Sequence, residues 1–308
     1  MKARRLTFSE LPTSVREHID RGPLFASSRF ARLWLSDRGH DVYWLVESDN
    51  SPLAVMTAVE FGARPVRRLQ AMPDGLYCHV LPFPGSEAGV SSSASIIFEA
   101  VASENYSKIF VQDFHREFEE PQGFEVTQCE TNLVDIADPE WEPPDAKIRS
   151  EIRKAGREGI QVIPFDPGKH FDSFISLMEQ TERRHDNAPR YSPAFFAALA
   201  ELSRSDERIY WAHVEVDGRA AASHIYLIDG DMALNWQVYF DKEFSWLKPN
   251  QYILYDTAKK CRERGIRTIN LGASPGDAEG LAVYKEKWGG ITYKYPCYHR
   301  TSLIGKLL

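Results

Sequence analysis

Ile209-Tyr210-Trp211-Ala212-His213-Val214-Glu215, a turn at Asp217-Gly218, and Ala220 to Leu227 open the stretch that decides the fold. Two β-rich runs joined by so short a turn are a hairpin signature. A third strand follows at Ala233–Phe240, then a helix over about Asn250–Arg264 and a strand at Arg267–Leu271. The helix carries Leu254, Ala258 and Cys261 at i, i+4 and i+7, one apolar stripe, and Gly265 stands where a helix C-terminal glycine belongs. A strand–helix–strand crossover makes a parallel pair. The spacing therefore predicts a mixed sheet, antiparallel first and parallel later, closing on Tyr284-Lys285-Glu286-Lys287-Trp288-Gly289-Gly290.

The same plan recurs nearer the N-terminus. Val42-Tyr43-Trp44-Leu45-Val46-Glu47 turns at Asp49-Asn50-Ser51-Pro52 into Leu53-Ala54-Val55-Met56, with a helix expected over Ser93–Asn105 and a strand over Lys108–Val111. Trp44 and Trp211 hold matching places in the two copies. The expectation is an α/β fold (an α+β mixed sheet) duplicated in tandem, residues 1–140 forming one unit and 141–308 the other. Connector helices open the second. Trp141-Glu142-Pro143-Pro144-Asp145 is a breaker and N-cap ahead of a helix at Ala146–Glu158, which puts Ile148, Ile152 and Ala155 on one face. A second helix is expected over about Phe171–Arg184, and Ser192-Pro193 opens a third over about Ala194–Ser203.

With 308 residues, 43% of them hydrophobic, the chain has ample material for one large or two modest cores. The net charge of −7 argues against broad attraction to nucleic acid or an anionic membrane, and leaves room for a local basic groove. Cys78, Cys129, Cys261 and Cys297 form no C-x-x-C pair and read as reduced thiols rather than a disulfide framework or zinc site. No H-x-x-x-H spacing occurs, and no metal is expected. Neither a P-loop nor a G-x-G-x-x-G stretch supports nucleotide hydrolysis or a nicotinamide cofactor. Met1-Lys2-Ala3-Arg4-Arg5 precedes no apolar run, and no stretch reaches the roughly 18 apolar residues that span a bilayer. The expectation is a cytoplasmic protein without membrane insertion.

Ile148-Arg149-Ser150-Glu151-Ile152-Arg153-Lys154-Ala155, followed by Gly159 and Val162, resembles the linker-helix signature of the Fem-type (FemAB-like) transferases, relatives of the Gcn5-related N-acetyltransferase (GNAT) superfamily. Three later segments agree: Leu247-Lys248-Pro249-Asn250, Gly265-Ile266-Arg267-Thr268 into Asn270-Leu271-Gly272, and Leu281 through Gly290. The resemblance implies two tandem GNAT-like domains around a cleft. It also implies transfer of an acyl or aminoacyl group, from acyl-CoA or aminoacyl-tRNA, to an amine on a small molecule or on a glycan or peptide precursor of the cell envelope. Transfer RNA is then a partner only if it is the donor, and DNA is not a partner. Two other readings stay open: an acyl-CoA-dependent N-acyltransferase acting on an amino sugar, and a degenerate binding protein of the same fold.

Individual residues are weighed against that background. Lys248, Asn250 and Gln251 open a helix, whose unpaired N–H groups suit a donor phosphate, although the glycine-rich loop usual in the superfamily is absent there. Lys285 matches a family motif and is implied as the group that balances negative charge during acyl transfer; flanked by Glu286 and Lys287, it reads equally as part of a solvated face. Arg149, Arg153 and Arg157 form a basic stripe, with Arg153 a contact for an anionic substrate or tRNA, or else a salt-bridged face. Arg184, His185 and Tyr191 sit in the loop that the family places beside the acceptor. Alternation puts Asn235, Gln237 and Tyr239 on one sheet face and Trp236 on the other. Tyr239 and Asp241 are the candidates for general base. Gly272-Ala273-Ser274-Pro275-Gly276 fits G-x-S-x-G, but Pro275 has no N–H to offer an oxyanion, so Ser274 is left as a lining residue rather than a nucleophile. His213 and His224 read as structural, and Tyr284 and Trp288 as core anchors.

Overall fold

The computed structural model describes residues 1–307 except 74, 87, 185–187 and 275–278. The chain forms two compact units, Met1–Cys129 with Lys294–Leu308, and Glu130–Tyr293. The first holds β1 (Lys2–Leu6), α1 (Thr13–Arg21), α2 (Ser28–Ala31), β2 (Gly39–Ser48), β3 (Ser51–Phe61), β4 (Arg68–Ala71), β5 (Val80–Pro82), α3 (Val90–Ser103) and β6 (Lys108–Gln112). β7 (Glu125–Asp135) carries the chain into the second unit. There follow α4 (Ala146–Arg157), β8 (Ile163–Pro164), α5 (Pro167–Arg184), α6 (Pro193–Ser203), β9 (Ile209–Val216), β10 (Arg219–Asp229), β11 (Met232–Phe240), α7 (Pro249–Glu263), β12 (Thr268–Asn270) and α8 (Glu279–Glu286). β13 (Ile291–Thr301) returns to the first unit, which ends with α9 (Leu303–Lys306).

The compact units differ from the expected division at 140/141, and strand pairing is the reason. Leu133, Val134 and Asp135 of β7 pair with β12, drawing that end into the second unit. Cys297–Thr301 of β13 pair with β6, which takes the C-terminal segment back to the first.

Local chemistry explains the connector helices and the turns. Asp145 caps α4 by accepting the Ile148 N–H at 2.9 Å, and Ser192 caps α6 with Pro193 in its first turn. Asp217 (φ 52°) and Gly218 (φ 73°) both take the left-handed conformation that a two-residue hairpin turn needs. In the first unit the strands run β1-β2-β3-β4-β6-β13, and β5 pairs back onto β3. β2 and β3 are antiparallel and β4 and β6 parallel. In the second the order is β8-β9-β10-β11-β12-β7, antiparallel from β8 to β11 and parallel between β11 and β12. Both copies thus follow the mixed plan expected of them.

Each sheet is covered by helices. In the second unit Leu254, Ala258 and Cys261 of α7 and Ile148, Ile152 and Ala155 of α4 bury together against Ala212, Val214 and Tyr226. In the first, Val42, Trp44 and Val46 meet Ile97, Phe98 and Val101 of α3, while Tyr43 and Leu45 on the opposite face meet Val15 and Ile19 of α1. Trp44 therefore lies on the α3 side of its sheet. Trp211 stacks on Phe165 at 4.0 Å and meets Phe174 of α5 at 4.7 Å, away from α7. The two tryptophans match in sequence but not in register, because a one-residue offset along a strand exchanges its faces.

The cysteine expectation is corrected. Cys129 and Cys297 form a disulfide, with Cα atoms 6.0 Å apart, while Cys78 and Cys261 are free and buried. Both bonded residues belong to the first unit.

Candidate functional site

β11 and β12 part company early. They pair over Met232–Leu234 and Thr268–Asn270, and β11 then continues alone to Phe240. At the parting point β11 carries a bulge: Tyr226 faces Asn235 and Ile225 faces Gln237, leaving Trp236 as the extra residue. The bulge overturns the simple alternation. Trp236 lies 5.1 Å from Tyr191, and Tyr239 lies 5.5 Å from Phe174 and 6.2 Å from Phe196, so both reach one aromatic cluster built on α5 and α6. Asn235 instead sits opposite Tyr226, whose strand neighbour His224 bonds Asn250 of α7 at 3.1 Å. Directly paired residues share a face, so Asn235 lies on the α7 side. Asn235 Oδ1 and Trp236 Nε1 are buried without a hydrogen-bond partner among the described residues. Buried polar atoms normally have one, so each face of the fork carries a polar atom left unsatisfied by the described residues.

Lys285 sits at the end of α8 and is 3% exposed. Its ammonium donates to the Gly272 carbonyl at 2.8 Å and the Ala273 carbonyl at 2.7 Å, in the loop just after β12. No carboxylate pairs with it among the described residues. Burial pulls the lysine down to about 8. It is not a solvated surface lysine, despite its charged neighbours. Gly290 makes this possible: a Cβ there would lie 2.7 Å from the Lys285 carbonyl. Trp288 beside it is 1% exposed and serves as a core anchor. Ser274 joins the same loop, its Oγ 3.5 Å from Asn132 Nδ2.

The start of α7 groups the three expected donor residues. Lys248 is its N-cap in the left-handed conformation (φ 59°), with Pro249 in the first turn. The Lys248 ammonium pairs with Glu151 at 3.3 Å, and Gln251 Nε2 donates to the same carboxylate at 3.3 Å. Asn250 is held by His224. The charge of Lys248 is thus shared with Glu151, a residue that carried no role in the sequence reading. Burial pushes His224 down to about 4, against the opposing bond with Asn250, so the imidazole is neutral near pH 7.

The remaining residues spread around the strand end. The Tyr239 phenol donates to Gln237 Oε1 at 2.7 Å, and burial pushes it well above its ordinary value. Asp241 accepts the Glu243 N–H at 2.9 Å and pairs with Arg219 at 3.3 Å. Arg184 donates to the Phe240 carbonyl at 2.9 Å and covers the Phe240 ring at 4.5 Å. Tyr191 is buried and stacks on Phe195 at 4.5 Å. Arg153 is exposed on α4, whereas Arg149 donates to the Pro143 and Pro144 carbonyls. His185 and the Pro275-Gly276 part of the serine motif lie outside the described residues.

Sequence reasoning missed the polar set behind Lys285. Thr131 and Asn270, 3% and 4% exposed, are hydrogen-bonded to each other, Thr131 Oγ1 donating to Asn270 Oδ1. The same Oδ1 accepts the Gly272 N–H at 2.8 Å. Asn132 N donates to the Gly272 carbonyl at 3.1 Å. The one signal in the sequence was an asparagine at a strand end ahead of Leu271-Gly272.

The second unit thus presents a mixed sheet whose parallel pair parts at a bulge, with a helix opening beside the gap. Residues 145–286 match the family model described as "Acetyltransferase (GNAT) domain". Among solved structures the chain is similar to "Crystal structure of FemX" (TM-score 0.73, 12% identity, all of both chains covered). It is also similar to the C-terminal domain of a putative lysylphosphatidylglycerol synthetase from Agrobacterium fabrum (TM-score 0.63, 12% identity, 94% of this chain and 91% of that one). A third is a tandem GNAT protein from the clavulanic acid biosynthesis pathway (TM-score 0.55, 11% identity, 97% and 98% covered). No curated protein matches the chain. Residues 145–286 thus match a GNAT domain model, and the whole chain shares the fold of the Fem-type and tandem GNAT structures, two GNAT-like domains in tandem with a helical connector. No helix among the described residues is long and apolar enough to cross a membrane.

Proposed function

We propose that the protein transfers an acyl or aminoacyl group from an activated donor, acyl-CoA or aminoacyl-tRNA, directly to an amine acceptor belonging to a cell-envelope or polysaccharide precursor. The observation that carries this reading is Lys285, a buried ammonium held, among the described residues, by two backbone carbonyls beside the β11–β12 fork. An amine nitrogen attacks the donor carbonyl, a C–N bond forms, and the C–S or C–O bond breaks. The amine proton ends on the departing thiolate or alkoxide. Lys285 balances the negative charge that develops on the way, in a water-poor place where such charge is worth most. The start of α7 at Lys248, Asn250 and Gln251 receives donor phosphate. Asn235, Gln237, Ser274, Arg184, His185 and Tyr191 border the acceptor. Asp241 is the carboxylate that can take the amine proton, and Tyr239, which keeps its phenolic proton, can supply one to the leaving group. The fold places no demand on metal or redox chemistry in this reading.

Calorimetric titration with acetyl-CoA and with a mixture of charged tRNAs tests the proposal and separates the donors. If tRNA is the donor, Arg153→Glu on α4 weakens its binding several-fold and lowers its salt dependence, leaving acetyl-CoA unaffected. Binding of neither donor would overturn the reading in favour of a non-catalytic relative of the same fold.

A further inference from the structure

Among the described residues Lys285 is aimed by backbone carbonyls. Its two acceptors, the Gly272 and Ala273 carbonyls, lie on a loop with no regular structure of its own, directly after a three-residue strand. A loop that short-anchored would not hold two carbonyls on one ammonium without support, since each flexible residue must be fixed at an entropic cost. Part of the support is backbone pairing, the Leu271 N–H donating to the Asn132 carbonyl at 2.8 Å; the side-chain part is Asn270. Its Oδ1 takes the Gly272 N–H at 2.8 Å, turning the chain so that the Gly272 carbonyl faces Lys285. The carboxamide is itself fixed by the Thr131 hydroxyl on β7, and Asn132 on the same strand donates its N–H to the Gly272 carbonyl at 3.1 Å. Gly272 takes φ 76°, the left-handed conformation that glycine adopts freely. Thr131 and Asn270 are both buried, so neither bond competes with water.

We propose that Asn270, braced by Thr131, is a positioning residue for Lys285: its carboxamide sets the direction of the carbonyl pair that holds the ammonium. The inference rests on the reading of Lys285 as the charge-balancing group. It concerns a residue that touches no substrate, and it acts through Gly272.

The test is an NMR titration of the full chain carrying 13Cε-labelled lysine, with the Lys285 signal assigned by its disappearance in Lys285→Met. Burial of the wild-type ammonium sets the expected midpoint at about 8. In Asn270→Ala the midpoint moves by about one pH unit or more, downward if the ammonium stays buried without its carbonyls and upward if it swings into water. The Gly272 amide loses its protection from hydrogen exchange in the same variant, and Asn270→Asp, which keeps an acceptor oxygen in place, restores it. An unchanged Lys285 midpoint in folded Asn270→Ala overturns the proposal. Should that variant not fold, Thr131→Val removes the brace alone; a displaced Lys285 midpoint, together with loss of Gly272 amide protection, supports the proposal and an unmoved midpoint overturns it. None of these readings needs turnover. A Lys285→Met protein that transfers acyl groups at the wild-type rate would therefore sink the charge-balancing role of Lys285 while leaving the positioning result intact.

Discussion

In the first unit the parallel pair stays joined for the whole of β4, Arg68–Ala71 against Lys108–Val111, and the chain then rejoins β3 as β5. In the second, β11 runs six residues past its last pairing with β12, from Asn235 to Phe240. The buried charges differ in the same way. Glu60 in the first unit is 4% exposed and held by Arg5 at 2.6 Å and by the Tyr106 hydroxyl, with Arg67 at 3.8 Å. Burial pushes its carboxyl up, but those bonds outweigh it and keep the group below the usual carboxylate range. Among the described residues Lys285 in the second unit has only carbonyls as partners, and burial draws it down. One copy pairs its buried ion with opposite charge, and its parallel strands stay joined. The other holds its buried cation on backbone carbonyls beside strands that part, and shifted groups of that kind concentrate at functional sites.

The sharpest way to break this contrast is to remove each ion in turn. Lys285→Met should cut turnover by about 10²–10³-fold with little change in donor affinity, the scale set by losing one charge-stabilising donor. Wild-type turnover should also fall as pH rises through about 8, where the ammonium loses its proton. The linked stability runs the other way. The folded value lies below the ordinary 10.5, so the cost of burying the charge is full below about 8 and is relieved as pH climbs toward 10.5. Chemical denaturation across that window should show the wild type gaining stability and Lys285→Met not.

Arg5→Met should leave turnover nearly intact while destabilising the first unit. Breaking one side of a buried pair costs about 3–5 kcal/mol, and Tyr106 and Arg67 retain part of the bonding, so a loss of about 2–3 kcal/mol is expected in urea melts. Equal loss of turnover in Arg5→Met and Lys285→Met would erase the distinction between the copies.

The smallest effect is acid sensitivity confined to the second unit. His213 and His224 are buried, and burial holds each down to about 4, with the neighbouring His170 adding to the effect at His213. Both folded values lie below the ordinary 6.5, so the unfolded chain gains protons first. Stability is therefore whole above 6.5 and falls as pH drops from 6.5 toward 4. His213→Phe should flatten part of that slope in melts followed between pH 4 and 7, since the imidazole has no hydrogen-bond partner among the described residues to lose.

What could be read from the sequence was local. The Asp217-Gly218 turn, the Leu254-Ala258-Cys261 stripe and the caps at Asp145 and Ser192 each declare themselves within a few residues, and all recur in the structure. Lys285 and Lys248 could be singled out because motifs around them are also local. The bulge could not: Trp236 is one extra residue in an otherwise regular strand, and it exchanges the faces of everything beyond it. Nor could the Thr131–Asn270 bond, which joins residues 139 apart, or the Cys129–Cys297 bridge, with 168 between its ends. Such pairings depend on where the chain returns, and spacing carries no record of that.

That bridge has a consequence for how the molecule is assembled. The chain leaves the first unit after Cys129 and comes back at Lys294, so the second unit is an insertion within the first. Cys129 and Cys297 fasten the outgoing and incoming strands together at its base. Everything between them is a covalent ring: a single proteolytic cut anywhere from 130 to 293 opens the ring but releases no fragment until the bridge is reduced. The second unit can thus be nicked, or given new chain ends inside one of its loops, while the first unit keeps both of its own.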